Sequence, residues 1–178
     1  MKILGISGSL RANSFNTSIL KVMQGRCSAE VEMVLAEISN LPHYNADLDV
    51  GDGPPSVIAF KKAVADADAL IIATPEYNYS VPGVLKNAID WASRPAYNSV
   101  FKGKVVGIVS ASMAFTGGVR AQQHLKAILT GTLSHVVALP EISIPGAQNM
   151  ITEGRITDER TLKHLDGLLD SVQSAFAG

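Results

Sequence analysis

Three short stretches of this chain concentrate the residue types that do chemistry. The first reads Gly8-Ser9-Leu10-Arg11-Ala12-Asn13-Ser14-Phe15-Asn16-Thr17. It follows an apolar run and opens a segment of helical periodicity. Ser9, Ser14, Asn16 and Thr17 supply short hydroxyl and amide donors. The open N–H groups of a helix start add more, and the helix dipole favours an anion there. Arg11 brings a full charge and a fork of donors that matches phosphate. The loop is neither G-x-G-x-x-G nor a Walker loop, so nucleotide hydrolysis is not expected. A plain capped helix, with Ser14 or Asn16 as N-cap and Arg11 in solvent, would use the same residues.

The second stretch, Pro75-Glu76-Tyr77-Asn78-Tyr79-Ser80-Val81-Pro82, is stiffened by a proline at each end. Its exposed N–H groups could border a planar ring, and its tyrosines could pack on one. A turn with surface tyrosines is the competing reading. The third stretch, Ala111-Ser112-Met113-Ala114-Phe115-Thr116-Gly117-Gly118, ends in paired glycines before a helix. Glycines there permit close approach of backbone to a ligand, or simply a loose connection.

These loops need a frame that brings them together. Apolar runs of strand length occupy 2–7, 30–36, 69–74, 104–110 and 134–139. Helix-length periodic segments occupy 16–26, 54–67, 82–93, 119–129 and 158–176. Alternation of this kind, with continuously apolar strands, predicts an α/β fold: a parallel sheet in a three-layer sandwich, covered by helices on both faces. Five strands suit the doubly wound, flavodoxin-like order 2-1-3-4-5 better than a six-stranded sheet. In such sheets ligands bind beyond the carboxyl ends of the strands, and the three loops follow strands one, three and four. The loop at 37–53 is long enough to suggest a role of its own.

Composition sets the outer bounds. One domain spanning 1–178 is expected, with 47% hydrophobic and 17% charged residues and a net charge of −1. A chain this neutral carries no footprint for nucleic acid or for a membrane surface. The lone Cys27 has no partner for an intrachain disulfide. His43, His124, His135 and His164 have no zinc spacing. No apolar run approaches a membrane span, and the start is too short in apolar residues for a signal peptide. The cytoplasm is therefore the expected compartment.

Taken together, Gly8-Ser9-Leu10-Arg11-x-x-Ser14-x-Asn16, Pro75-Glu76-Tyr77-Asn78-x-Ser80-x-Pro82-x-x-Leu85-Lys86-Asn87-Ala88-Ile89-Asp90-Trp91 and the Ser112…Gly117-Gly118 loop resemble the NAD(P)H-dependent FMN reductases. That flavodoxin-like group includes bacterial quinone, chromate and azo-dye reductases. The resemblance covers most of the chain, from the first strand to the fifth-strand loop, and its second motif is long and specific. It implies that Ser9, Arg11, Ser14 and Asn16 hold the FMN phosphate, with Phe15 and Thr17 at its margin. It implies that Pro75, Glu76, Tyr77 and Asn78 border the isoalloxazine. Ser112, Gly117 and Gly118 would meet the ring's pyrimidine side.

The implied activity is hydride transfer from NADPH or NADH to FMN, then electron transfer to a small-molecule acceptor such as a quinone or a flavin. Both substrates would take turns on one flavin face. The cofactor carries that chemistry, so no side chain is named as catalytic. Glu76 is the tempting carboxylate, but fixing the loop through hydrogen bonds is the better role for it. A homodimer or homotetramer is implied too, the helices at 82–93 and 119–129 building a dimer. Arg120 and Glu141 are candidates for a further subunit contact, and Trp91 and Ile89 for either core or interface. Two other readings remain at this level: an FMN electron carrier reduced by a partner protein, and a redox sensor that keeps FMN without turnover. Near-zero charge counts against the carrier.

Overall fold

The apolar runs pair side by side, the central ones buried on both of their faces. In the computed structural model, residues 1–51 and 53–178 are described; Asp52, within the long loop, lies outside them. Strands β1 (Lys2–Ser7), β3 (Ala69–Thr74) and β4 (Val105–Ala111) form the centre of a parallel sheet. β2 (Glu32–Leu35) pairs with the outer side of β1. Every residue of β3 and β4 is buried, which only helices above and below can achieve.

One helical layer consists of α1 (Phe15–Gln24) and the closing helix of the chain, Glu159–Ala177. It buries Ile19, Leu20 and Met23 with Leu165, Leu168, Leu169 and Val172. The other layer consists of α2 (Pro55–Asp66), α3 (Gly83–Ala92) and α4 (Val119–Gly131). It buries Phe60, Val64, Leu85, Ile89, Leu125 and Leu129. The result is the doubly wound, flavodoxin-like arrangement expected from the sequence, with strand order β2-β1-β3-β4-β5, where β5 is His135–Val136.

Register explains why three loops meet. Ser7 lies level with Ala73, and Thr74 lies level with Ser110. The carboxyl ends of β1, β3 and β4 therefore reach the same edge of the sheet.

The fifth strand differs from the expected 134–139. It is split into β5 (His135–Val136), beside the start of β4, and β6 (Ile142–Ile144), beside its end. Pro140 lies between them and has no N–H to continue the ladder. The sequence reading also missed a short helix, α5 (Ala147–Met150), and a small hairpin of β7 (Ile151–Thr152) and β8 (Arg155–Ile156). The hairpin turns through Glu153 and Gly154, both at positive φ, and buries Ile151 and Ile156 in the α1 layer. The closing helix, α6 (Glu159–Ala177), is capped by Asp158, which accepts from the Thr161 N–H at 2.7 Å.

The long loop has a structural job. Pro42 O accepts hydrogen bonds from Asn87 Nδ2 at 2.9 Å and Trp91 Nε1 at 2.8 Å, and Tyr44 N–H donates to Asn87 Oδ1 at 2.7 Å. Tyr44 meets Trp91 edge-on, with ring centroids 4.9 Å apart. Trp91 is fully buried, so core packing is the role this chain gives it. Cys27 donates to Met23 O, and partial burial pushes its thiol pKa up, away from reactivity. No helix among the described residues is long and apolar enough to cross a membrane.

Candidate functional site

A cleft of about 190 Å³ opens where the three loops converge. The first loop supplies Ser9, Arg11, Ser14, Phe15 and Asn16 to its wall. The second supplies Pro75, Glu76 and Tyr77, and the third supplies Ser112. Ala111 and Met113 complete the lining. The sequence reading had not singled these two out as site residues, although both fall inside the loop it quoted.

The first loop gathers hydrogen-bond donors around the start of α1. Ser14 is the N-cap of α1, its Oγ accepting from the Thr17 N–H at 3.3 Å. Ser9 Oγ accepts from the Arg11 N–H, also at 3.3 Å. Each hydroxyl oxygen takes a backbone hydrogen, so each hydroxyl proton remains to donate outward. The N–H groups of Phe15 and Asn16, in the first turn of α1, have no partner among the described residues. Arg11 donates from Nη2 to Asn13 O at 3.0 Å and lies over the Phe15 ring at 5.0 Å. No carboxylate pairs with it among the described residues. Donors, dipole and an uncompensated charge thus point the same way.

Two residues of the same motif face inward instead. The Asn16 side chain is buried and closes both hydrogen bonds of the Ala111 main chain, each at 3.0 Å. Only its backbone N–H is left for a ligand. Thr17 Oγ1 is hydrogen-bonded to Ser7 Oγ at 2.7 Å, tying α1 to the end of β1, and Thr17 does not line the cleft.

The second loop is a clasp on α4. Tyr77 and Ser80 exchange main-chain hydrogen bonds at 3.0 and 3.1 Å around a tight turn. The turn's central residues, Asn78 and Tyr79, have φ of 47° and 67°. Asn tolerates that region well and an aromatic does so rarely, so outside contacts must hold the turn. Those contacts come from α4. The Glu76 carboxylate accepts from the Arg120 main-chain N–H and from its guanidinium, both at 3.1 Å. The same guanidinium lies 4.8 Å from the Tyr79 ring centroid. Ser80 Oγ meets His124 Nδ1 at 2.9 Å. Glu76 therefore does fasten the loop. Asn78 sits in the turn, away from the cleft wall.

Arg120 and Glu141, expected at a subunit contact, are both engaged inside the chain: Arg120 with Glu76, and Glu141 with Lys126 at 2.8 Å. The carboxyl pKa of Glu141 is pulled down, first by that hydrogen bond.

The third loop needs its glycines for its own packing. At Gly118, with φ of 94°, a Cβ would come within 2.9 Å of Ser110 Cβ. At Gly117 it would come within 2.9 Å of Ser143 Cβ. The close approach is to strands β4 and β6, and neither glycine lines the cleft. Buried Gln122 completes the packing, donating to Ser110 Oγ at 2.7 Å and to Ile142 O at 2.8 Å. Ser112 Oγ accepts from the Ala114 N–H at 3.1 Å, which leaves its own proton to donate into the cleft.

Comparison with known proteins identifies the family. A family model described as NADPH-dependent FMN reductase matches residues 1–149. The chain is 43% identical over 174 residues to an NAD(P)H-dependent FMN reductase of Pseudomonas aeruginosa, covering 97% of this chain and 94% of that protein. It is 39% identical over 173 residues to a quinone reductase of Escherichia coli, covering 95% and 92% respectively. Among solved structures, it is similar to a flavoenzyme NAD(P)H:(acceptor) oxidoreductase of Paracoccus denitrificans. That match has a TM-score of 0.87, 36% identity and 97% of each chain covered.

Proposed function

The chain belongs to the NADPH-dependent FMN reductase family, and on that premise we propose that it binds FMN in the three-loop cleft and oxidises a nicotinamide nucleotide at the expense of quinones, flavins or similar acceptors. The observation that carries this reading is the cradle of the first loop. Two N–H groups without partners and an Arg11 charge without a carboxylate among the described residues, with two outward hydroxyl protons, stand at one end of a cleft whose other wall is the stiff 75–82 loop. This donor set fits a phosphate monoester, and the wall of Pro75, Glu76 and Tyr77 fits the border of a planar ring.

Bound FMN supplies the hydride chemistry, accepting from NADPH or NADH and passing electrons on. The chain's own work is binding and orientation. Ser9, Arg11 and Ser14, with the N–H groups of Phe15 and Asn16, hold the phosphate. The 75–82 loop, fixed by α4, borders the ring, and Ser112 donates from the opposite wall. Thr17, Asn78, Gly117 and Gly118 support these positions from behind. Donor and acceptor alternate on the one flavin face that the three-loop cleft leaves accessible, in a ping-pong sequence. A homodimer or homotetramer in the cytoplasm belongs to the same proposal, the oligomer testable by sedimentation.

Purified protein should be yellow, or take up added FMN. NADPH or NADH should bleach it in a stopped-flow trace, and a quinone should restore the colour without any partner protein. Colourless protein that takes up no FMN would overturn the proposal.

A further inference from the structure

Glu76 is the one carboxylate among the residues that line the cleft. Its side chain is only 10% exposed, so water can do little to solvate its charge. The charge is met by Arg120, which is not on the cleft wall. Arg120 is half-exposed, and its two contacts are the Glu76 carboxylate and the Tyr79 ring.

Fastening the loop does not require an ion pair. The Arg120 main-chain N–H already holds Glu76 Oε2 at 3.1 Å, and a neutral amide at position 76 could still accept that bond, though more weakly. A half-exposed ion pair also adds little to stability. Its electrostatic consequence is larger, because fixed charges act strongly at a partly dry wall. Reduction makes a flavin more negative. A bare carboxylate on the wall would oppose that change, and a carboxylate neutralised from behind would not.

We propose that Arg120 is a positioning residue that tunes the bound flavin: by cancelling the Glu76 charge it keeps the reduced cofactor stable in the cleft. This rests on the FMN reading above. Arg120 acts through Glu76 and touches neither cofactor nor substrate.

The test is the midpoint potential of bound FMN, measured by dye-equilibrated photoreduction in the wild type, Arg120→Ala, Arg120→Lys, Glu76→Gln and the Glu76→Gln/Arg120→Ala double variant. Arg120→Ala should weaken binding of reduced relative to oxidised FMN at least tenfold, a fall of about 30 mV for a two-electron couple. Arg120→Lys should retain most of the wild-type value. Glu76→Gln should shift the potential upward, and the double variant should return near wild type. A mere fastener would behave otherwise: Arg120→Ala and Glu76→Gln would loosen the same loop and move the potential in the same direction. That result, or no shift in either variant while FMN still binds, overturns the proposal and leaves the FMN reading intact. If the wild type takes up no FMN, the FMN reading fails and this proposal with it. If Arg120→Ala does not fold, the upward shift in Glu76→Gln and the retention in Arg120→Lys decide the matter.

Discussion

Two arginines stand at the carboxyl end of the sheet, each stacked on an aromatic ring. Arg11 lies 5.0 Å from the Phe15 centroid and Arg120 lies 4.8 Å from that of Tyr79. Their polar partners separate them. Arg120 is consumed by Glu76, whereas Arg11 has only the carbonyl of Asn13 and no carboxylate among the described residues. The same side chain, in similar packing, is spent on the protein in one loop and, in the proposed FMN site, left for the ligand in the other. The second loop spends its polar groups on α4, and the first keeps two N–H groups and two hydroxyl protons in reserve. Residue type therefore does not identify a binding group here; the unspent hydrogen-bonding capacity does.

The hardest test of this contrast is Asn16, which sits in the ligand loop but is spent inward. Asn16→Ala removes two side-chain hydrogen bonds to the main chain of buried Ala111. At about 1.5 kcal/mol for each buried bond, the protein should lose about 3 kcal/mol of stability in urea unfolding. FMN affinity of the folded fraction should fall less. A variant with full stability and lost FMN binding would place Asn16 with the ligand groups and break the distinction.

Arg11→Ala is the mirror experiment. FMN affinity should drop by about 2 kcal/mol, roughly 30-fold, through loss of charge-assisted hydrogen bonds. Stability without FMN should stay within about 0.5 kcal/mol of wild type, as for a surface side chain. Titration calorimetry and urea unfolding read the two quantities separately. Unchanged FMN affinity would remove Arg11 from the site.

The contrast also marks how far the sequence could be read. The alternation of apolar runs and periodic segments carried the sheet, its order and the convergence of three loops, because burial on both faces leaves a strand little else to be. Side-chain direction was not legible. Asn16 and Ser14 are both short polar residues at a helix start, and only the register of β4 decides that Asn16 meets Ala111. The glycine pair announced a close approach, but the partner proved to be Ser110 and Ser143 of the neighbouring strands. Pro140 was visible in the sequence, yet the strand resumes beyond it because Ile142–Ile144 finds the open edge of β4. The Arg120–Glu76 pair joins residues from two separate elements, and no local spacing signals it.

Arg120→Ala should have a smaller effect on the fold than on the flavin. The lost ion pair is half-exposed on the arginine side, and the main-chain N–H of residue 120 still holds Glu76. A stability loss below about 1 kcal/mol is expected in urea unfolding. A loss of several kcal/mol would make Arg120 a structural keystone and erase its difference from Asn16.

The smallest effect should come from Ser80→Ala, which removes the other side-chain link between the loop and α4. The Ser80 hydroxyl donates if His124 Nδ1 is bare and accepts if Nδ1 carries a proton, so the link persists in either state of the ring. Its loss at an exposed site should cost about 0.5 kcal/mol, because water replaces the partner at once. The turn keeps its Tyr77–Ser80 main-chain pair and its Glu76–Arg120 link, so FMN affinity should change less than about twofold, under 0.5 kcal/mol. Combining Ser80→Ala with Arg120→Ala sharpens the comparison. Additive losses in melting experiments would mean that the two links act separately and that the charge of Arg120 is its distinctive contribution. A combined loss well beyond the sum would mean that the clasp works as a unit, with each link covering for the other. The second loop would then owe its position to redundancy in its contacts with α4, where the first loop is held by the Ser14 cap, the Thr17–Ser7 tie and the inward Asn16.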